Sequence, residues 1–159
     1  MSLLSVGTPA PVFSLEDQHH KKHDLVSYKG SWVLLYFYPK DDTPGCTKQA
    51  CAIRDSEPDF EKLDAVVLGV SADTVKSHQK FAEKYNLSFP LLADETRAVS
   101  KAYGVWGEKK FMGKSYEGIT RTSYLISPEG MISKVYENVK PDTHADMVLA
   151  DLQEFAKHG

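Results

Sequence analysis

Trp32-Val-Leu-Leu-Tyr-Phe-Tyr38-Pro39 runs into the loop Lys40–Asp42 and then Thr43-Pro44, and further on comes Ala65-Val-Val-Leu-Gly-Val70. The first run is apolar and aromatic without alternation, which fits a central strand buried on both faces, and Pro39 ends it. Thr43 before Pro44 is an N-cap followed by proline at the first helical position. The helix is expected to end near Pro58, because proline breaks the hydrogen-bond ladder of a helix interior. Ala65–Val70 reads as a second buried strand. Strand, helix and strand make a βαβ unit with both strands parallel in one sheet.

Working outward, Val12–Leu15 and Asp24–Val26 flank the polar turn Glu16–His23 and read as an N-terminal hairpin. Asp73 can cap a helix in which Val75, His78, Ala82 and Tyr85 share one face. Pro90-Leu-Leu92 reads as a short strand and Thr96–Tyr103 as a short helix. Tyr124–Ile126 and Ile132–Tyr136 flank the turn Ser127-Pro-Glu-Gly130, a second hairpin signal. A last helix starts near Thr143, with Val148, Leu152 and Phe155 at helical spacing. The pattern points to an α/β domain with helices on both sheet faces.

The 159 residues suit one domain, residues 1–159, and 42% hydrophobic with 26% charged residues is ordinary globular usage. A net charge of -3 argues against nucleic acid as a partner. No run approaches the roughly 20 apolar residues of a membrane span, and no membrane partner is expected. Residues 1–11 lack the basic and apolar regions of a secretory signal, so a cytoplasmic location is expected. Two cysteines are too few for a secreted disulfide framework.

Cys46 falls at about the third position of the helix that Thr43 caps. Unpaired backbone N–H groups and the helix dipole favour an anion there, so a thiolate is stabilised. The Thr43 hydroxyl can cap the helix and also hydrogen-bond a peroxide-like oxygen as an O–O bond stretches. Gly45 keeps the backbone open to a small substrate, and Pro39 and Pro44 stiffen the loop. The plain alternative is that Cys46 and Cys51 are small buried hydrophobes. On an intact helix Cys51 lies about 140° round and roughly 7.5 Å along from Cys46, some 8.7 Å away and beyond the roughly 7 Å of a disulfide. If the two bond, the first turns must unwind.

Pro39-x-x-x-Thr43-x-x-Cys46 resembles the active-site signature of peroxiredoxins. The fuller string YPKDDTPGCTKQAC is similar to the subfamily called bacterioferritin comigratory protein, or peroxiredoxin Q. The likeness continues through Ser77-His-Gln-Lys-Phe81, Phe89-Pro-Leu-Leu92, Tyr103-Gly-Val-Trp-Gly107, Gly113-Lys-Ser-Tyr116 and Arg121-Thr-Ser-Tyr-Leu-Ile126. It implies a thioredoxin-like fold of the peroxiredoxin type, a central mixed sheet with helices on both faces. It further implies that Cys46 is the peroxidatic cysteine, oxidised to sulfenic acid by hydrogen peroxide or organic hydroperoxides. Cys51 matches the resolving position, and thioredoxin or a glutaredoxin-like dithiol would reduce the resulting intramolecular disulfide. Arg121 matches the family arginine over the thiol, where a guanidinium favours the thiolate and polarises the peroxide; without the resemblance it reads as a surface strand residue. The resemblance implies no metal, haem or flavin.

The turn Gln18-His-His-Lys-Lys-His23 is more basic than the family's usual acidic, glycine-bearing turn, and Ser127 stands where an aspartate is common. His19, His20 and His23 read as solvated turn residues, not as a metal site. His78 reads as a satisfied, partly buried histidine. Asp41 and Asp42 read as loop solvation, and acids so near Cys46 would oppose a thiolate unless they point away. Trp106 reads as an anchor, or by family analogy as a border of the pocket. The carboxylates from Asp55 to Glu61 read as a solvated helix face. A thioredoxin-like reductase would want two residues between its cysteines, and here four intervene. A redox sensor or relay to a partner protein would use the same cysteines. With no exposed apolar stripe evident, a monomer is expected.

Overall fold

The structure, a computed structural model, describes residues 2–158. β1 (Ser14–Glu16) and β2 (Lys22–Asp24) form the N-terminal hairpin, with Leu15 opposite His23. β1 starts two residues later than the expected Val12–Leu15, and β2 ends at Asp24, where the second strand was expected to begin, because Leu25–Tyr28 turns into a short 3-10 helix. The buried run becomes β3 (Trp32–Phe37), followed by α1 (Pro44–Lys62), β4 (Ala65–Ser71), α2 (Val75–Tyr85) and β5 (Leu91–Ala93). After α3 (Ala98–Ala102) come β6 (Trp106–Phe111), β7 (Lys114–Ile119), β8 (Thr122–Ile126), β9 (Ile132–Tyr136) and α4 (His144–His158).

The main sheet has the order β5-β4-β3-β8-β9. β3 is its centre, parallel to β4 with Leu34 opposite Val67, and antiparallel to β8 with Leu34 opposite Leu125. The sheet is therefore mixed, and β3 shows no alternation because both of its faces are buried. Leu34, Tyr36 and Tyr38 face a core layer completed by Ile53 and Phe60 of α1, Phe81 of α2, and Val148 and Leu152 of α4. Val33, Leu35 and Phe37 face the other layer, with Leu25, Tyr103, Val105 and Tyr124.

α1 does not stop at Pro58 but runs four residues beyond it, to Lys62. Proline removes one N–H and crowds one carbonyl, and here it does so on the exposed side of the helix. Phe60, wholly buried, ties the last turn to the core and outweighs that loss. Asp73 is likewise not the cap of α2. Thr74 is, its hydroxyl oxygen accepting from Ser77 N at 3.1 Å. α3 spans only Ala98–Ala102, shorter than the helix expected over Thr96–Tyr103, with Arg97 at its start in the left-handed region (φ 66°). β6 and β7 form a separate two-stranded ribbon that the sequence analysis does not anticipate.

Candidate active site

β3 delivers the chain to the top of the sheet, and residues 38–43 turn it into α1. Tyr38, buried, anchors this loop by donating its hydroxyl to Asp41 Oδ1 at 2.6 Å. Asp41 Oδ2 faces His78 Nδ1 at 2.7 Å and accepts from Ser77 Oγ at 2.8 Å, while the Asp41 N–H donates to Asp73 Oδ2 at 2.9 Å. His78 is more deeply buried than its helical spacing suggests, and its Nε2 meets the carbonyl oxygen of Leu92 at 3.0 Å. Asp41 is thus no solvated loop acid but the buried pin between loop and α2. Its neighbour Asp42 is exposed and takes Lys84 Nζ and the Tyr85 hydroxyl. Both acids engage α2, the orientation a thiolate at Cys46 needs.

Ligand atoms of Asp41, Asp73 and His78 lie within 4.8 Å of one another. Their lone pairs and protons are already engaged by Tyr38, Ser77, Ser71, Leu92 and each other, so the cluster works as a hydrogen-bonded tether.

Thr43 stands at the N-cap in extended backbone, and Pro44 opens the helix. Its hydroxyl does not cap, however: it donates backwards to Lys40 O at 2.9 Å. Cys46 is then the third helical residue, with 2% of its surface exposed. Arg121, in the link between β7 and β8, places Nη2 3.4 Å from Cys46 Sγ. The guanidinium is half-buried, so its charge acts on the sulfur with little water between them. Gly45 has a sharper reason than substrate access. A Cβ there would sit 2.9 Å from Arg121 Nη2, so glycine lets the guanidinium reach the thiol.

Three further residues, Gln49, His144 and Lys109, surround this centre. Gln49, one turn after Cys46 and wholly buried, accepts from Arg121 Nη1 at 2.6 Å. Its amide nitrogen lies 3.2 Å from Nδ1 of His144, the first residue of α4. Burial, followed by the nearby Arg121 charge, pushes His144 down to about 4. Lys109, on β6, is held below the usual lysine range by burial and then by Arg121, and donates to Ile119 O at 2.9 Å. The signal that could have exposed Gln49 was its helical spacing from Cys46, three residues on.

Pro39 borders a groove of about 400 Å³ lined by Asp73, Trp106, Lys109, Tyr116 and Glu117 among others. Trp106 carries the Arg97 guanidinium 5.1 Å from its ring centre, so it both anchors the ribbon and borders the groove. Cys51 is half-buried, and both thiols are free while α1 is intact. Of the turn histidines, His23 is not solvated. It is buried against Asp17 at 2.7 Å and Tyr28. Burial would raise the Asp17 carboxyl, but His23 and the N–H groups of His19 and Lys21 outweigh it and hold the group below its ordinary value.

The sequence profile of the AhpC/TSA family matches residues 6–135. The chain belongs to the AhpC/TSA family. A putative peroxiredoxin bcp of Coxiella burnetii is 49% identical over 149 residues, covering 94% of this chain and 99% of the relative. Peroxiredoxin Bcp of Escherichia coli K12 is 47% identical over 156 residues, 98% of this chain and all of the relative. Among solved structures, a cysteine-to-serine mutant of Xylella fastidiosa PrxQ is 35% identical with a TM-score of 0.93, covering 98% of this chain and 99% of that one. Xanthomonas campestris bacterioferritin comigratory protein, described for its alkyl peroxide reduction activity, is 38% identical with a TM-score of 0.88, covering 96% and 99%. As a peroxiredoxin the chain has the thioredoxin fold and is a thiol peroxidase, with a peroxide as substrate and a thiol as reductant. Among the described residues, no helix is long and apolar enough to cross a membrane.

Proposed function

We propose that this chain, working as one domain, reduces hydrogen peroxide and organic hydroperoxides at Cys46 and resolves the product with Cys51. One observation carries the reading: Cys46 Sγ sits at the third residue of α1 with Arg121 Nη2 3.4 Å away. The thiolate attacks the terminal peroxide oxygen, an S–O bond forms, and the O–O bond breaks. The leaving oxygen keeps the electron pair and takes a proton to become water or an alcohol. Arg121 stabilises the charge that develops on that oxygen. Thr43, whose O–H is committed to Lys40, offers lone pairs to the proton of the incoming peroxide. Pro39 and Gly45 shape the approach.

The sulfenic acid then meets the Cys51 thiol. An S–S bond forms, water leaves, and an external dithiol such as thioredoxin or a glutaredoxin-like protein returns two electrons. Because the helix holds the two Cα atoms about 8.7 Å apart, the first turns of α1 open for this step. A non-reducing peptide map after one equivalent of hydrogen peroxide and rapid alkylation is the test. A Cys46–Cys51 bridge within the monomer is expected. Cys46 oxidised with Cys51 still alkylatable would remove the resolving role, and two free thiols would remove the peroxidatic one.

A further inference from the structure

A guanidinium carries only N–H donors. The atom of Gln49 that meets Arg121 Nη1 at 2.6 Å is therefore the carboxamide oxygen. The amide nitrogen is left facing His144 Nδ1 at 3.2 Å, and an NH2 group there can only donate. Nδ1 is consequently bare and accepts. The ring proton sits on Nε2 and points at Ser123 Oγ, 2.9 Å away. His144 is buried, and its lowered pKa, about 4, keeps the ring in this singly protonated form at neutral pH. The directions of these bonds are thus set from Arg121 back to Ser123. A proton on Nδ1 would face the NH2 group with another donor. It would favour the flipped carboxamide, which turns two more donors toward the guanidinium.

We propose that His144 is a positioning residue for the peroxidatic centre: its bare Nδ1 fixes which end of the Gln49 carboxamide faces Arg121, and so holds the guanidinium over the Cys46 sulfur. The proposal rests on Cys46 being the peroxidatic thiol. It also gives α4 a part in the cycle. Gln49 lies between the two cysteines, so opening α1 for the disulfide breaks its bonds to Arg121 and His144. When α1 closes again, His144 and Ser123 present the template against which Gln49 is reset.

The test uses the Cys51→Ser protein, where the Cys46 thiolate is followed by its ultraviolet absorbance and its oxidation by stopped flow with hydrogen peroxide. His144→Phe removes the acceptor while filling the space. It is expected to slow oxidation about tenfold and to move the thiolate midpoint up by about one pH unit. His144→Asn, whose Oδ1 can take the place of Nδ1, is expected to recover most of both. Independently of activity, nitrogen NMR of the full chain is expected to show His144 as the Nε2–H tautomer, untitrated above about pH 5. An unchanged rate and midpoint in His144→Phe, a loss that His144→Asn does not recover, or an Nδ1–H tautomer would each overturn the proposal. Should His144→Phe not fold, the tautomer and the asparagine variant decide. If the Cys51→Ser parent consumes no peroxide, it is the reading of Cys46 that falls, and the tautomer still reports on His144.

Discussion

Gly45 and Tyr36 show how far single atoms matter around Cys46. Alanine at position 45 would gain helix propensity, about 1 kcal/mol. Its Cβ would nevertheless stand 2.9 Å from Arg121 Nη2 and 3.6 Å from Pro141 Cγ, and the guanidinium is the part free to yield. Gly45→Ala is therefore expected to fold at least as stably as the parent yet react with peroxide about tenfold more slowly or worse, since a charge-assisted contact worth about 1.5–3 kcal/mol is lost. Stopped-flow oxidation beside a thermal melt checks this, and an unchanged rate would show that Arg121 contributes little. Tyr36 Oη is, among the described residues, the buried side-chain polar atom with no hydrogen-bond partner. Tyr36→Phe removes an unpaired hydroxyl and is expected to leave stability unchanged or raise it by up to about 1 kcal/mol. Tyr38→Phe, which takes a donor from buried Asp41, is expected to cost about 1–3 kcal/mol, and urea titration of both tyrosine variants beside the parent checks the pair. The closeness of Arg121 to Cys46 was legible at this scale only through the resemblance, which puts that arginine over the thiol. Asp41 was not, since its burial depends on Ser77 and His78, which lie far along the chain.

Among the elements, α1 carries the functional conflict. On the proposed cycle its first turns hold Cys46 at the helix start and then release it, while its later turns belong to the core through Ile53 and Phe60. Opening is therefore expected to stay local. On oxidation to the disulfide, amide hydrogens of residues 46–51 should lose hydrogen-exchange protection while those around Ile53 and Phe60 keep theirs, because the latter open only with the core. Uniform loss along the helix would mean that the whole of α1 detaches, and full retention would deny the intramolecular bridge. The start of α1 was readable from Thr43-Pro44, whereas its end was misjudged because an exposed proline was weighed without the buried Phe60 two residues later. The β6–β7 ribbon escaped notice for a different reason. Its turn is Met112-Gly113, both at positive φ (53° and 80°), instead of the usual Asn-Gly or Asp-Gly. Its strands are also largely solvent-exposed, so no buried alternation marks them.

For the whole molecule, the βαβ unit and the second hairpin were enough to predict an α/β sheet, and the resemblance implied its mixed character, because β3 is flanked by one parallel and one antiparallel neighbour. What local pattern could not convey is how α4 closes over the site. That closure ties stability to acid. His144 has an ordinary value of 6.5 and is lowered to about 4 by burial and then Arg121, so the unfolded chain binds more protons than the folded one between these values. Stability is full above about pH 6.5, falls as the pH drops toward 4, and levels off below it. Between pH 7.5 and 5 the loss from this one group is about 2 kcal/mol. Asp17, held below its ordinary 3.8, adds a loss that begins only at lower pH, as its own carboxylate takes a proton. The two are separable by urea titration across pH. His144→Asn is expected to flatten the curve between pH 7.5 and 5 and leave the more acidic limb in place. A curve of unaltered slope would show that His144 does not stay neutral in the fold. With the neutral ring would go the bare Nδ1 that orients Gln49, so one stability measurement tests the electrostatics of the fold and of the peroxide site together.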